Sequence, residues 1–215
     1  VRRLPAVLIL CIVWLGTGAQ AAPSAVTMSI ACGGCHGTLG VSAGLSMPSL
    51  AGQSKEYFIS AMKKYRSGER PSTVMGRLAK GYSDAEIEAM AAFYARMKPS
   101  PAKEAADARL AEKGRAVFYK QCKVCHLDRG PLWRQIHRNR DFDGTCRHCH
   151  ADYGNDGAET TPFIASQWPR YLVLQLEEFK DGRRPMSRTK ASRLKSLSEE
   201  DIEAVASFYA SQPIE

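Results

Sequence analysis

The chain has 215 residues, room for one large domain or two of about 100. Its 44% hydrophobic and 24% charged residues are those of packed globular domains and exclude a disordered chain. The formal charge of +8 comes from scattered Lys and Arg residues, not from a basic stripe with exposed aromatics, so no nucleic-acid partner is expected.

Arg2 and Arg3 precede an apolar stretch from Ala6 to Leu15, and Ala19-Gln20-Ala21 follows it. This is the charged, apolar and small-residue order of a secretory signal, and the stretch is well short of the about 20 residues of a membrane span. The expectation is a signal peptide over 1–21 cleaved near Ala21, with export to the periplasm of a bacterial source and no membrane anchor after cleavage. Without Arg2 and Arg3 the charge falls to +6. A basic face of this size can steer docking onto an acidic redox partner, and it is equally an ordinary solvated surface.

Residues 22–31 lead into Cys32-Gly-Gly-Cys35-His36. The pattern returns at Cys122-Lys-Val-Cys125-His126 and at Cys146-Arg-His-Cys149-His150. Two thiols three residues apart on a helical turn can each bond a haem vinyl group, and the adjoining His presents its imidazole to the iron. One copy would also suit half a zinc site or a redox dithiol; three copies point to three covalently bound haem c groups. Cys11 lies in the signal and the three motifs use the other six cysteines, so no thiol is left for a disulfide, a nucleophile or a cysteine axial ligand. No nucleophile-elbow motif is present either, and the chain is expected not to be catalytic alone.

A loop with Gly37, Gly40, Gly44 and Pro48 follows the first motif. Tyr57, Phe58, Ala61, Met62 and Tyr65 then fall at helical spacing over 54–66 behind a Ser54 cap, as a core stripe. Gly68 and Pro71 end that helix, and Met75 lies in an irregular segment. Ser83 and Glu86 form a capping box for a helix bearing Ile87, Met90, Phe93 and Tyr94, and Pro99 and Pro101 mark a linker. A helix through Ala111, Val117 and Phe118 opens the second half and runs into Cys122.

An offset of 114 residues aligns Cys32, Cys35 and His36 with Cys146, Cys149 and His150. Without a gap it also aligns Pro48 with Pro162, Gln53 with Gln167, Tyr57 with Tyr171, Gly68 with Gly182 and Arg70-Pro71 with Arg184-Pro185. One residue later, Ser83, Ile87, Phe93 and Tyr94 match Ser198, Ile202, Phe208 and Tyr209. The fold expected is all-α, with two homologous haem domains in tandem. Domain one covers 22–98 and a linker 99–103. Domain two covers 104–215 and carries an inserted haem-binding segment.

A six-coordinate electron-transfer haem needs a second axial ligand, and His/Met ligation raises its potential. Met75 and Met186, each in the segment after the first long helix of its half, are the candidates. Met62, Met90 and Met97 read as packing residues; Met28 and Met47 sit too near the first motif in sequence to reach the opposite iron face. In the second half the register pairs His150 with Met186, leaving Cys122–Thr145 as an insertion with its own haem. The leading helix points instead to Cys122. The register, ungapped over forty residues, is preferred. His126 then needs another sixth ligand, with His137 first and His148 second, unless His137 is a surface residue of a basic loop.

The stretch Ser72-Thr-Val-Met-Gly-Arg-Leu-Ala-Lys-Gly-Tyr-Ser83, Arg183-Arg-Pro-Met186, the Cys32 motif and the ending Phe208-Tyr-Ala-Ser-Gln212 resemble the cytochrome subunits of flavocytochrome c sulfide dehydrogenases. The resemblance spans nearly all of the chain after the signal. It implies class I cytochrome c domains in a periplasmic haem subunit bound to an FAD-containing subunit, which oxidises sulfide and passes electrons through the haems to a soluble cytochrome c. It also matches Met75 and Met186 to axial ligands and places FAD on the partner only. The chain departs from the family in its third CxxCH. Cys125-His126-Leu127 through Pro131-Leu132 resembles the family's second domain, which places the insertion after Cys122. Two further readings stand: a free multihaem carrier without a flavoprotein, and a haem enzyme acting on a sulfur compound at the inserted haem.

Overall fold

The computed structural model describes residues 24–102, 106–122, 162–186 and 188–214, and the regular elements among them are helical. Helix α1, Ala25–His36, starts where the Ser24 hydroxyl accepts from Thr27 N at 3.1 Å. It carries the whole first motif. Helix α2, Lys55–Ser67, has the expected Ser54 cap, bonded to Tyr57 N at 3.1 Å, and it ends at Gly68 in the left-handed region (φ 82°). A short helix α3, Met75–Leu78, then begins at Met75 itself, where the sequence reading has an irregular segment. Helix α4, Asp84–Ala95, has the reciprocal Ser83–Glu86 capping box.

The first core forms where α1, α2 and α4 meet: Met28, Phe58, Met62, Ile87, Met90, Phe93 and Tyr94 are buried together. Met62 and Met90 are packing residues, as expected, and Met28 joins them. The Tyr94 hydroxyl donates to Ser29 O at 2.8 Å, tying α4 to the helix that bears the haem motif.

In the second half α5, Ala108–Val117, is capped by Asp107 and continues as a π turn over Phe118–Cys122. Helix α6 covers Pro169–Lys180, α7 Arg188–Lys195 and α8 Glu199–Ala210, the last with a Ser198–Asp201 capping box. Helix α5 crosses α8 so closely that a Cβ on Gly114 would lie 1.9 Å from Ala204 O. Phe118, Leu172, Val173, Ile202, Val205, Phe208 and Tyr209 lie in the core beside that crossing.

The repeat read from the sequence is present bond for bond. Gly52 N donates to Tyr94 O and Ser166 N to Tyr209 O, each at 3.0 Å, and Arg70 N donates to Lys64 O as Arg184 N does to Glu178 O, again both at 3.0 Å. Gly68 caps α2 with φ 82°, and Gly182, just after the Asp181 cap of α6, has φ 71°. The halves meet through a reciprocal exchange. Gln53 Nε2 donates to Phe163 O (2.7 Å) while its Oε1 accepts from Phe163 N (3.0 Å). Gln167 Oε1 accepts from Ser49 N (2.8 Å) while its Nε2 donates to Ser49 O (3.2 Å). The linker is held at both ends, with the Pro99 ring against Gly52 and Ala102 N donating to Ser166 O at 2.9 Å.

Gly114→Ala places its new methyl against a helix backbone that cannot yield, and is expected to cost about 1–3 kcal/mol. Gly81→Ala, with open space around it, should stay within about 0.5 kcal/mol of the parent. Denaturant unfolding of the haem-loaded protein followed by far-ultraviolet circular dichroism measures both.

Candidate haem sites

Helix α1 presents Cys32 half-buried, Cys35 exposed and His36 buried. Gly37 ends the helix with φ 74°, and a 3₁₀ turn over Thr38–Gly40 turns the chain back over the motif. His36 Nδ1 lies 2.8 Å from Pro48 O. A carbonyl oxygen can only accept, so Nδ1 carries the proton and Nε2 keeps its lone pair for a metal. Burial pushes the His36 pKa below its ordinary value, against the opposing pull of the Pro48 carbonyl, which favours the neutral, ligating imidazole.

Cys32 and Met75 both pack against the first core, and Met186 packs against the second. Met47 is exposed. Ile30, Leu39, Val74 and Leu78 are each at least half exposed, although they stand within a few residues of Cys32, His36 or Met75. Apolar side chains left uncovered around a CxxCH helix and a methionine suit the faces of a porphyrin.

A second fit lies in charge. Arg70 is buried and donates to Tyr57 Oη (3.0 Å), Tyr171 Oη (3.2 Å) and Gln175 Oε1 (2.6 Å), all neutral, while its Nε has no partner among the described residues. Trp168 Nε1 is likewise buried without one. Arg184 donates to the same Gln175 Oε1 at 2.7 Å. Burial would raise the Tyr57 phenol, but Arg70 and Arg184 beside it pull it below its ordinary value; burial and Tyr57 push Tyr171 up. A buried guanidinium with only neutral partners and an orphaned N–H is a setting for a carboxylate, and each haem supplies two. The two thiols of Cys32 and Cys35 and the oriented His36 imidazole suit a covalently bound haem, with Met75 packed against the same core as Cys32.

For the second half, Cys122 ends the π turn, and Cys125, His126, His137, Cys146, His148, Cys149 and His150 lie outside the described residues. Phe118 stands four residues before Cys122 and packs on Phe208 (5.2 Å between ring centres) and Tyr209 (6.0 Å). Met28 stands four residues before Cys32 and packs in the core with their counterparts Phe93 and Tyr94. Arg193 of α7, seven residues after Met186, donates to the Gln121 carbonyl just before Cys122. The sequence pairs Gln53 with Gln167 and Arg70 with Arg184 but assigns them no role; the two glutamine side chains bond the opposite half, and Arg70 reaches Tyr171 and Gln175 there, where no local signal points. It gave Pro48 no role either, although its fixed place twelve residues after His36 is the signal.

No protein-family profile matches the chain. Cytochrome c4 of Pseudomonas aeruginosa is 30% identical over 183 residues, covering 82% of this chain and 81% of that one. The thiosulfate dehydrogenase electron acceptor of Thiomonas intermedia is 29% identical over 199 residues, covering 90% and 82%. The cytochrome subunit of sulfide dehydrogenase from Chlorobaculum tepidum is 46% identical over 67 residues, covering 31% and 60%. Reduced cytochrome c4 from Pseudomonas stutzeri superposes with a TM-score of 0.68 at 24% identity, covering 89% of this chain and all of that one, and so shares the fold. By these likenesses and by its repeated all-helical halves, the chain belongs to the family of tandem class I cytochromes c that includes cytochrome c4 and the sulfide dehydrogenase cytochrome subunits, electron-transfer proteins with covalently bound haem.

Proposed function

We propose that the chain is a periplasmic cytochrome with three haem c groups, which accepts electrons from an FAD-containing sulfide dehydrogenase subunit and passes them to a soluble cytochrome c. The observation that carries the redox reading is the His36 imidazole, buried, held in one tautomer by Pro48 and set behind two thiols. The 46% identity to a sulfide dehydrogenase cytochrome subunit favours the sulfide-linked partner. A second reading, electron acceptance from a thiosulfate dehydrogenase, is favoured by the longer alignment to an electron acceptor of that enzyme. Bound haem supplies the one-electron chemistry; the protein fixes ligation, burial and distance. Among the described residues no helix is long and apolar enough to cross a membrane.

Domain one is assigned to 22–98 and domain two to 104–215. In domain one the haem is held by Cys32 and Cys35, with His36 and Met75 axial. In domain two the leading helix favours Cys122, Cys125 and His126 as the partners of Met186, against the register. Helix α5 takes against α8 the place that α1 takes against α4, and the Gly114–Ala204 contact leaves no room for a second helix there. The motif at Cys146, Cys149 and His150 is then the additional one, with His137 as its candidate sixth ligand.

Intact mass should show three haems. Replacing Cys146 and Cys149 by Ser should remove one haem while keeping both His/Met near-infrared charge-transfer bands; replacing Cys122 and Cys125 should remove the band that Met186→His also removes. The reverse pattern would restore the register pairing of His150 with Met186.

The partner is tested by isolation from the native source and by mixing. Flavin should co-purify with the haem protein, and sulfide plus the flavoprotein should reduce the haems, two one-electron reductions for each sulfide oxidised to sulfur. A flavin-free haem protein reduced by a thiosulfate dehydrogenase would move the assignment to the second reading. One reduced by neither would be a free carrier. Turnover of a sulfur compound by this chain alone, lost on altering His137 or His148, would make it an enzyme.

A further inference from the structure

The carbonyl that orients His36 is one end of a peptide group whose other end is bonded by the opposite half of the molecule. Pro48 O accepts from His36 Nδ1 at 2.8 Å, and the N–H of that same peptide unit, Ser49 N, donates to Gln167 Oε1, also at 2.8 Å. Gln167 is buried, its amide closes a second bond to Ser49 O at 3.2 Å, and its Oε1 also accepts from Trp168 N at 3.3 Å. The chain of bonds therefore runs from the His36 imidazole through one peptide to a side chain 118 residues beyond Ser49.

Hydrogen bonds in series polarise one another: an amide whose N–H is donated becomes a stronger acceptor at its carbonyl. A stronger acceptor at Nδ1–H makes the imidazole a more basic ligand, which favours the oxidised iron. Gln53 bonds Phe163 across the same junction, its Oε1 accepting from Phe163 N at 3.0 Å and its Nε2 donating to Phe163 O at 2.7 Å, and neither bond touches the Pro48–Ser49 peptide.

We infer that Gln167 is a positioning residue that sets the basicity of the His36 imidazole, and with it the potential of the haem that His36 would hold, from the half of the chain to which His36 does not belong. This rests on the assignment of His36 as a haem ligand, and not on the third haem or on any redox partner. It gives the two halves a route of coupling through bonds of their own chain.

The test uses the full-length, haem-loaded protein with Gln167→Leu, Gln53→Leu and Gln167→Glu. Domain-resolved midpoint potentials come from spectroelectrochemistry, and the Nδ1–H proton resonances from NMR of the reduced protein. Gln167→Leu should shift the oxidised-to-reduced ratio of the His36 haem about threefold toward reduced at fixed potential, about 30 mV upward at the one-electron conversion of about 59 mV per tenfold. It should also move the His36 Nδ1–H signal upfield, leaving the domain-two haem in place. Gln53→Leu, which breaks bonds across the same junction but none to the Pro48–Ser49 peptide, should leave the His36 haem potential and the Nδ1–H signal in place. Gln167→Glu keeps an oxygen for Ser49 N–H and should not raise the potential.

Equal shifts of both haems in both leucine variants would mean general loosening of the interface and would overturn the inference, as would unchanged potentials and resonances. Loss of haem at Cys32 and Cys35 in the parent protein, read by mass, would instead sink the ligand assignment beneath it.

Discussion

Both halves of this protein depend on the crossing of a leading helix over a terminal helix. A domain of this size is only marginally held by its aliphatic core. The crossing therefore has to pin the segment that carries the covalent cofactor. In the first half the pin is a hydrogen bond from Tyr94 to a backbone carbonyl on α1. In the second it is backbone contact, available because Gly114 has no side chain, backed by the ring contact of Phe118 on Phe208.

The junction is polar where the cores are apolar. Two glutamine side chains bond the backbone of the opposite half in both directions, and around Arg70 a set of tyrosines and Gln175 carries a cation into the interior. Polar groups buried in this way contribute little net stability unless all are satisfied, but they reject misaligned docking, because any shift leaves donors unpaired. Arg70 lies over the Tyr65 ring at 4.5 Å and Arg184 over Phe179 at 4.2 Å, so the repeat extends to the stacking of the guanidinium groups.

Much of this was legible in the sequence, because its signals are local. Ser54, Ser83 and Ser198 announce their helices through caps that close within three residues, and Gly68 and Gly182 stop theirs. The core stripe at Tyr57, Phe58 and Met62 follows from helical period. Met75 was found as a candidate ligand but not as the start of a short helix, since four residues carry too little periodicity to register. The roles of Gln53 and Gln167 were not legible, because their partners lie 110 and 118 residues away. The haem register was ambiguous for a specific reason. A CxxCH twelve residues before Pro162 keeps every downstream match ungapped whichever side of it the extra segment lies, so the alignment alone does not separate the two placements. The contacts of the leading helix, Gly114 with Ala204 and Phe118 with Phe208, are what bear on the question.

The exchange of Gln53 and Gln167 has the form of an isologous interface: residue 53 of one half meets residue 163 of the other, while the counterpart of 53 meets the counterpart of 163. Such reciprocity is what two identical subunits make about a twofold axis. The contact now inside one chain is thus the kind a homodimer of single-haem cytochromes would form, with the Pro99–Pro101 segment as a later tether. Fusion removes a restriction that symmetry imposes on dimers. In a homodimer any insertion must be accommodated twice, whereas in the fused chain the segment with the third motif is carried on one side only, and its bulk and charge are paid for once.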